Sequence, residues 1–264
     1  MIVEWLLRQA PKSDLTEEQI EDAAAKVLPA ANTRGEARLI VADGSSGSAG
    51  SGWWARQLAD DLCAAPGRAF RSAQAFGIVS AEAAQLWPSY RRTLLERVPL
   101  SGARAWLAHV RIDNCPATTV LGVRLLPGSA DDGESGTAGL SEGRWEVISV
   151  GDSCMFQVRA DHVVESVATQ TRVPPVIRAS SRTAAPVPTL RGGRWSEQDA
   201  FYLMTDALAR WWRRRADEGG RPWALLDRVS RSDDEFASWV ETQRATLQLE
   251  DDDITLLKAE CGPC

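Results

Sequence analysis

The chain holds two histidines, His109 and His162, and neither stands in a motif. Zinc hydrolases draw their ligands largely from His and Cys, so a zinc centre has little here to be built from. Five cysteines, Cys63, Cys115, Cys154, Cys261 and Cys264, are odd in number and irregularly spaced. That suits reduced thiols better than a disulfide framework. No apolar run approaches the length of a membrane span, and Met1 to Arg8 is interrupted by charge too early for a signal peptide. The expectation is a cytoplasmic protein with no membrane partner. Positive charge is in short supply as well: 30 Lys and Arg against 36 Asp and Glu give a formal net charge of -6. No footprint for nucleic acid follows, and Arg210 with Arg213, Arg214 and Arg215 reads as the solvated face of a helix.

What is present is the composition of a globular protein, with 44% hydrophobic and 25% charged residues over 264 positions. That length supports one large domain over residues 1–264. Apolar spacing predicts helices from Gly52 to Ala64, from Ser80 to about Val98 with a kink at Pro88, and from Ala103 to Val110. Four β-branched runs follow, Thr118–Leu126, Trp145–Val150, Met155–Arg159 and His162–Val167, and read as an antiparallel meander. The Gly-, Ser- and Asp-rich stretch from Pro127 to Gly143 is an expected exposed loop, and Pro174 to Gly193 reads as irregular. Farther on come a buried strand Ala200–Met204, a helix Ala207–Ala216, a helix opened by Ser232, and a last strand Ile254–Lys258. The eleven tryptophans read as packing residues. Cys261-Gly-Pro-Cys264 has the spacing of a redox pair, but with no following helix to lower a thiol pKa it is expected to be a frayed tail.

The most informative stretch is Leu39 to Gly47, where an apolar run delivers Asp43 into a turn of small residues. A carboxylate at the end of a buried strand is costly unless paired, and a hard divalent cation is a suitable partner if further oxygen ligands converge on it. Comparable acids stand at Glu21-Asp22, Gly151-Asp152-Ser153, Thr205-Asp206 and Asp252-Asp253. Each has an ordinary alternative. Asp22 could face water on an amphipathic helix from Thr16 to Val27, Asp152 could serve a hairpin turn, Asp206 could cap a helix, and Asp252 could sit in an acidic loop.

Taken in order, Glu21-Asp22-Ala23, Val41-Ala-Asp43-Gly44, Gly151-Asp152-Ser153, Thr205-Asp206 and Asp252-Asp253-Ile254-Thr255 resemble the signature of the type 2C (PPM-type) metal-dependent Ser/Thr protein phosphatases, in their bacterial single-domain form. Thr118-Thr119 is similar to that family's Gly-Thr-Thr segment. The resemblance implies an α+β fold, a four-layer αββα sandwich of two antiparallel β-sheets flanked by helices. It also implies two Mn²⁺ or Mg²⁺ ions. Asp43 would bridge them, the Gly44 carbonyl with Glu21 and Asp22 would serve one, and Asp206 and Asp252 would complete the other; Asp152 matches an acid that in some relatives helps hold a third ion. Asp43, Asp206 and Asp252 would then carry catalysis on a phosphorylated protein, with a cognate Ser/Thr kinase or its targets as partners, in a monomer. The chain departs from the family at Ala207, where glycine is usual, at Gly44-Ser45-Ser46-Gly47, and in lacking an arginine before the acidic pair to grip phosphate. Arg8 and Lys12 are the candidates to replace it. These departures leave a pseudophosphatase, binding phosphoprotein without turnover, as the alternative, and a hydrolase of other phosphoesters as a third reading.

Overall fold

The computed structural model describes residues 2–13, 15–29, 35–65, 67–98, 101–128, 142–168, 173–180 and 183–262. The core of the loop expected between Pro127 and Gly143 lies outside the described residues, as does Cys264. Strands β1 (Ile2–Ala10), β2 (Ala23–Val27) and β3 (Ala37–Gly44) come first, and a short 3-10 turn, Glu17–Gln19, precedes β2. Four helices follow: α1 (Ser51–Ala64), α2 (Ala73–Ala84), α3 (Trp87–Glu96) and α4 (Ala103–Asp113). Then come β4 (Ala117–Pro127), β5 (Glu142–Val150), β6 (Cys154–Arg159), β7 (His162–Val167), β8 (Ile177–Arg178), β9 (Thr189–Ser196) and β10 (Ala200–Met204). Helices α5 (Asp206–Asp217), α6 (Pro222–Val229) and α7 (Asp233–Ala245) lead to β11 (Ile254–Gly262).

Among the described residues the strands form two antiparallel sheets, one ordered β1-β11-β10-β6-β7 and one ordered β2-β3-β4-β5-β9 with β8 on β4. Leu39, Val41, Leu121 and Val123 of the second sheet pack on Met155, Phe201, Leu203 and Leu257 of the first. The outer face of the second sheet is covered by α1 and α2 through Trp54, Leu58, Leu62 and Phe76, and that of the first by α5 to α7 through Trp212, Leu226, Phe236 and Val240. The result is the expected αββα sandwich. Alternation along each strand supplies one side chain to the inner core and the next to a helix layer.

Several local expectations are corrected. The stretch Ala23–Val27 is a strand and not part of a helix, because its alanines pair with β3 in register, Ala23 opposite Ala42; sheet pairing overrides the helix propensity of Ala. The Ser80 to Val98 helix is two helices. α2 opens at Ser72, whose side chain accepts a bond from Ala75 N at 3.2 Å, and Pro88 starts α3 rather than kinking a longer helix. The stretch from Pro174 to Gly193 contains β8 and most of β9, the latter paired with β5 along its length. The four-strand meander is divided, since β4 pairs with β5 and β6 with β7 but β5 and β6 belong to different sheets. The crossing runs through Gly151-Asp152-Ser153. Gly151 has φ +109°, and a Cβ there would lie 2.3 Å from that of Thr119, so the close turn between the sheets requires glycine. Trp54, Trp195, Trp211 and Trp212 are fully buried as expected, whereas Trp106 is 68% exposed.

Candidate metal centre

All of the anticipated acids sit at the same end of the sandwich, and the strand order explains why. Asp43 lies at the end of β3 and Asp22 immediately before β2, which runs antiparallel to it, so the two are neighbours. On the other sheet Asp206 follows β10, Asp252 precedes β11, and Asp152 precedes β6. β10 lies between β11 and β6, with Met204 opposite both Leu256 and Cys154, so these three ends converge.

The surroundings are built to hold them. Thr118 Oγ1 donates to the Asp43 carbonyl at 2.7 Å, and Thr119 lies 3.2 Å from the Ser153 hydroxyl beside Asp152. Thr205 Oγ1 donates to Asp22 Oδ2 at 2.9 Å while accepting from Thr255 N at 3.0 Å, a bridge from one sheet to the other. Asp253 accepts from Lys12 N at 2.8 Å and from Glu21 N at 2.7 Å, so its carboxylate braces the loop that carries Glu21 and Asp22, while Asp252 Oδ1 accepts from Asp253 N at 3.0 Å. Gly44 is needed for close approach: a Cβ there would fall 2.6 Å from the Glu21 carbonyl oxygen. The Gly44 and Glu21 backbones therefore meet beside Asp43.

Charge at this end is only partly compensated. Asp43 is pushed well above the ordinary carboxylate range, by burial first and then by Asp22, Asp206, Asp252 and Asp152. Solvent touches one side of it, but protein atoms surround the rest, so it is wetted without being hydrated as in bulk water. Burial also raises Asp22 well above its usual value, with Asp253 and Asp252 adding to the shift against the Thr255 and Thr205 bonds. Asp206 is raised to about 6 by burial, with Arg210 opposing and Asp152 and Asp252 reinforcing. Glu21 is raised by burial, opposed by a Ser46 hydrogen bond and by Arg111. Carboxylates that raise one another in this way, offering oxygen ligands with no histidine beside them, fit Mg²⁺ or Mn²⁺ by chemistry. Among the described residues no group of three or more His, Cys, Asp or Glu side chains is arranged closely enough to hold a metal ion as it stands.

The structure brings Asp22, Asp43, Asp152, Asp206 and Asp252 together, with Glu21 and the Gly44 carbonyl at the edge. Asp206 is the first residue of α5 and Thr205 its N-cap, so the acid does not hold the capping position. Arg8 is not a replacement for the absent arginine. Its guanidinium bonds the Ser230 and Leu7 carbonyls at 3.0 and 2.8 Å and pairs with Asp233 at 3.4 Å. Lys12 acts on Asp251. Two cations to which the sequence assigns no role at the site belong here, Arg210, paired with Asp206 at 2.5 Å and Glu250 at 3.0 Å, and Arg111. The basic run on α5 is thus only partly a solvated face, since Arg213 also reaches Cys154 Sγ at 2.7 Å. The i, i+4 spacing of Asp206 and Arg210 is the signal available for the first; Arg111 has none. His109 is tied to the Ala105 carbonyl of its own helix and His162 stands on edge strand β7. Burial pushes the Cys154 thiol up to about 12 and the Cys63 thiol up to about 11. Cys261 is buried in β11 with its pKa raised, so one half of the Cys-Gly-Pro-Cys pair is part of the core rather than a frayed tail.

No family model matches the sequence, and no curated protein matches it. Solved structures do. A serine/threonine phosphatase of S. agalactiae is 14% identical and superposes with a TM-score of 0.57, covering 98% of this chain and 100% of that one. The catalytic domain of the serine/threonine protein phosphatase PstP, solved in complex with 2 manganese ions, is 15% identical with a TM-score of 0.53 over 99% of both chains. RsbX, solved in complex with magnesium, is 11% identical with a TM-score of 0.51 over 98% of this chain and 94% of that one. At these identities the likeness establishes a shared fold over nearly the full length.

Proposed function

We propose that this chain is a type 2C (PPM-type) phosphoprotein phosphatase that removes phosphate from phosphoserine and phosphothreonine with the help of two Mn²⁺ or Mg²⁺ ions. The observation that carries this reading is the convergence of five aspartates from two sheets at one sandwich end, with Asp22 and Asp43 raised well above ordinary values and without an arginine or lysine partner among the described residues. The same ions occur in similar folds, manganese in PstP and magnesium in RsbX. Bound there, the pair would supply the positive charge that activates a water and neutralises the phosphate.

The chain's own residues have separable roles. Asp43, the Gly44 carbonyl, Glu21, Asp22, Asp206 and Asp252 would together hold the two ions. Asp152 would assist a third ion. Thr118 and Thr205 fix the backbone of Asp43 and the side chain of Asp22, so that little reorganisation is needed when phosphate arrives. No cysteine nucleophile is required, in keeping with the buried, protonated thiols. On this reading the partners are a phosphorylated protein and the Ser/Thr kinase that opposes the enzyme, and the protein is a cytoplasmic monomer; no helix among the described residues is long and apolar enough to cross a membrane.

A second reading is favoured by one observation, the ion pair of Arg210 with Asp206, which places a competing cation on a ligand and leaves open a phosphoprotein-binding pseudophosphatase. Phosphate release from a phosphothreonine peptide distinguishes the two. Turnover that needs Mn²⁺ and is lost with chelator and in Asp43→Asn supports the enzyme. Mn²⁺ binding without turnover supports the pseudophosphatase, and turnover of small phosphate esters alone would indicate a different phosphoesterase.

A further inference from the structure

The turn that carries Asp252 is three acids in a row, Asp251, Asp252 and Asp253, at the entrance to β11. Like charges side by side push a chain apart, so bonds from outside keep such a turn compact. Two of the three carboxylates take part in this. Asp251 Oδ1 accepts from Ser13 N at 2.9 Å, and Asp253 accepts from Lys12 N at 2.8 Å and from Glu21 N at 2.7 Å. Asp252 is held differently. Its Oδ1 accepts from Asp253 N inside the turn at 3.0 Å, and its carbonyl accepts from Arg244 Nη2. Arg244 stands in the last turn of α7 with its side chain 12% exposed, and its Nη1 donates to the Pro11 carbonyl at 2.7 Å. Its Nε lies 3.7 Å from Asp251 Oδ1. One guanidinium thus joins the end of α7, the loop after β1 and the backbone of Asp252. Arg8 makes a comparable tie at the start of α7, from β1 to the Ser230 carbonyl at 3.0 Å and to Asp233 at 3.4 Å, with no bond to the acid turn among the described residues.

We propose that Arg244 is a positioning residue of the metal centre: by bonding the Asp252 and Pro11 carbonyls together, it fixes the backbone from which the Asp252 carboxylate reaches an ion. The inference rests on the phosphatase reading for Asp252 as a ligand. A ligand whose backbone is already placed loses less freedom when an ion arrives, and groups that orient a ligand from behind commonly change metal affinity by about 10- to 100-fold. A planar guanidinium suits this task. Its two Nη groups reach two carbonyls from different segments while Nε stays near Asp251, whereas a lysine ammonium is a single point on a flexible stem. The charge of Arg244 also lies against Asp251, and so offsets part of the repulsion within the turn.

The test is calorimetric titration of Mn²⁺ into the natural protein, into Arg244→Ala, Arg244→Lys, Arg8→Ala, Asp43→Asn and Asp252→Asn, and into the double variant carrying Arg244→Lys and Asp252→Asn, with the metal-free melting temperature of each. The expected result is Mn²⁺ affinity lowered about tenfold or more in Arg244→Ala and Arg244→Lys and unchanged in Arg8→Ala, even where all three melt below the natural protein. In the double variant Arg244→Lys should add nothing to the loss caused by Asp252→Asn, because it acts only through that residue. Natural Mn²⁺ affinity in Arg244→Lys overturns the assignment, as does a loss of the same size in Arg8→Ala, or losses that add in the double variant. If Arg244→Ala does not fold, Arg244→Lys, which keeps the packed stem and the charge, decides alone. Asp43→Asn separates this assignment from the reading beneath it. Mn²⁺ binding that is lost in Asp43→Asn but intact in Arg244→Lys removes the role of Arg244 and leaves the metal centre, whereas a natural protein that binds no Mn²⁺ removes both.

Discussion

Two buried aspartates of this molecule live in opposite surroundings. Asp199, 0% exposed, accepts two bonds from Arg159 at 2.7 Å, one from Gln157 at 2.7 Å and one from Ser196 N at 2.8 Å. Its charge is matched and its oxygens are occupied. Asp22, 2% exposed, has threonine hydroxyls and further acids, and Asp43 beside it has four aspartates acting on it. The first arrangement is complete as it stands and ties β9, β10 and β6 together. The second has no arginine or lysine matched to Asp22 or Asp43 among the described residues, and on the proposed reading an added cation would complete it, the difference expected between a carboxylate that serves the fold and one that serves a ligand.

Substitution at Asp43 probes this difference most directly. Asp43→Asn should lower phosphopeptide turnover on the order of a thousandfold, while the metal-free protein melts at the same temperature or higher, because a neutral amide replaces one of several repelling charges. A metal-free protein that melts clearly lower would show that Asp43 serves the fold as Asp199 does. Asp199→Ala should do the reverse, destabilising by about 3 kcal/mol in denaturant melts with Mn²⁺ affinity little changed, since Arg159 and Gln157 lose their acceptor.

Acidity separates the two kinds of aspartate further. Asp206 titrates near 6 when folded against 3.8 in a free chain, and Glu21, Asp22 and Asp43 are raised too. Raised acids keep protons in the folded state that the unfolded chain has already released. Their contribution therefore favours the metal-free fold at low pH and is lost as pH rises through the folded values. Mn²⁺ should reverse this. At a hundredfold excess over its dissociation constant it adds about 2.7 kcal/mol, and that increment should fade as pH falls below about 6. Melting curves with Mn²⁺ or chelator from pH 5 to pH 8 would show it, and an increment independent of pH would place the ion away from these acids. The smallest effect is expected at Arg210. Its pair with Asp206 is partly exposed and worth little, so Arg210→Ala should tighten Mn²⁺ binding by roughly two- to fivefold. Weaker binding in that variant would mean that Arg210 positions Asp206 instead of competing for it.

Much of the centre is legible in the amino-acid sequence. Asp43, Asp206 and Asp252 stand next to apolar runs whose lengths and flanking small residues mark strand ends. Their neighbours are harder to read. Asp22 looks equally like the wet side of a helix, because Ala23-Ala24-Ala25 has helix propensity and becomes a strand only through pairing with β3. β1 and α6 escape a reading by pattern for a related reason: Ile2–Ala10 carries charge and polarity on an edge strand, and α6 is a turn or two of helix opened by Pro222.

Local patterning along the chain is enough to set the order of elements and to place each acid at a strand terminus, because periodicity and turn residues act over a few positions. The parting of β5 and β6 into different sheets, which brings Asp152 to the centre instead of leaving it in a hairpin, depends on how the sheets assemble. So does the matching of cations to acids, which gives Arg159 to Asp199 and Arg210 to Asp206. Any of the basic residues is chemically able to pair with any of the acids. The choice among them is made by strand order and helix docking, which depend on contacts between residues far apart in the chain.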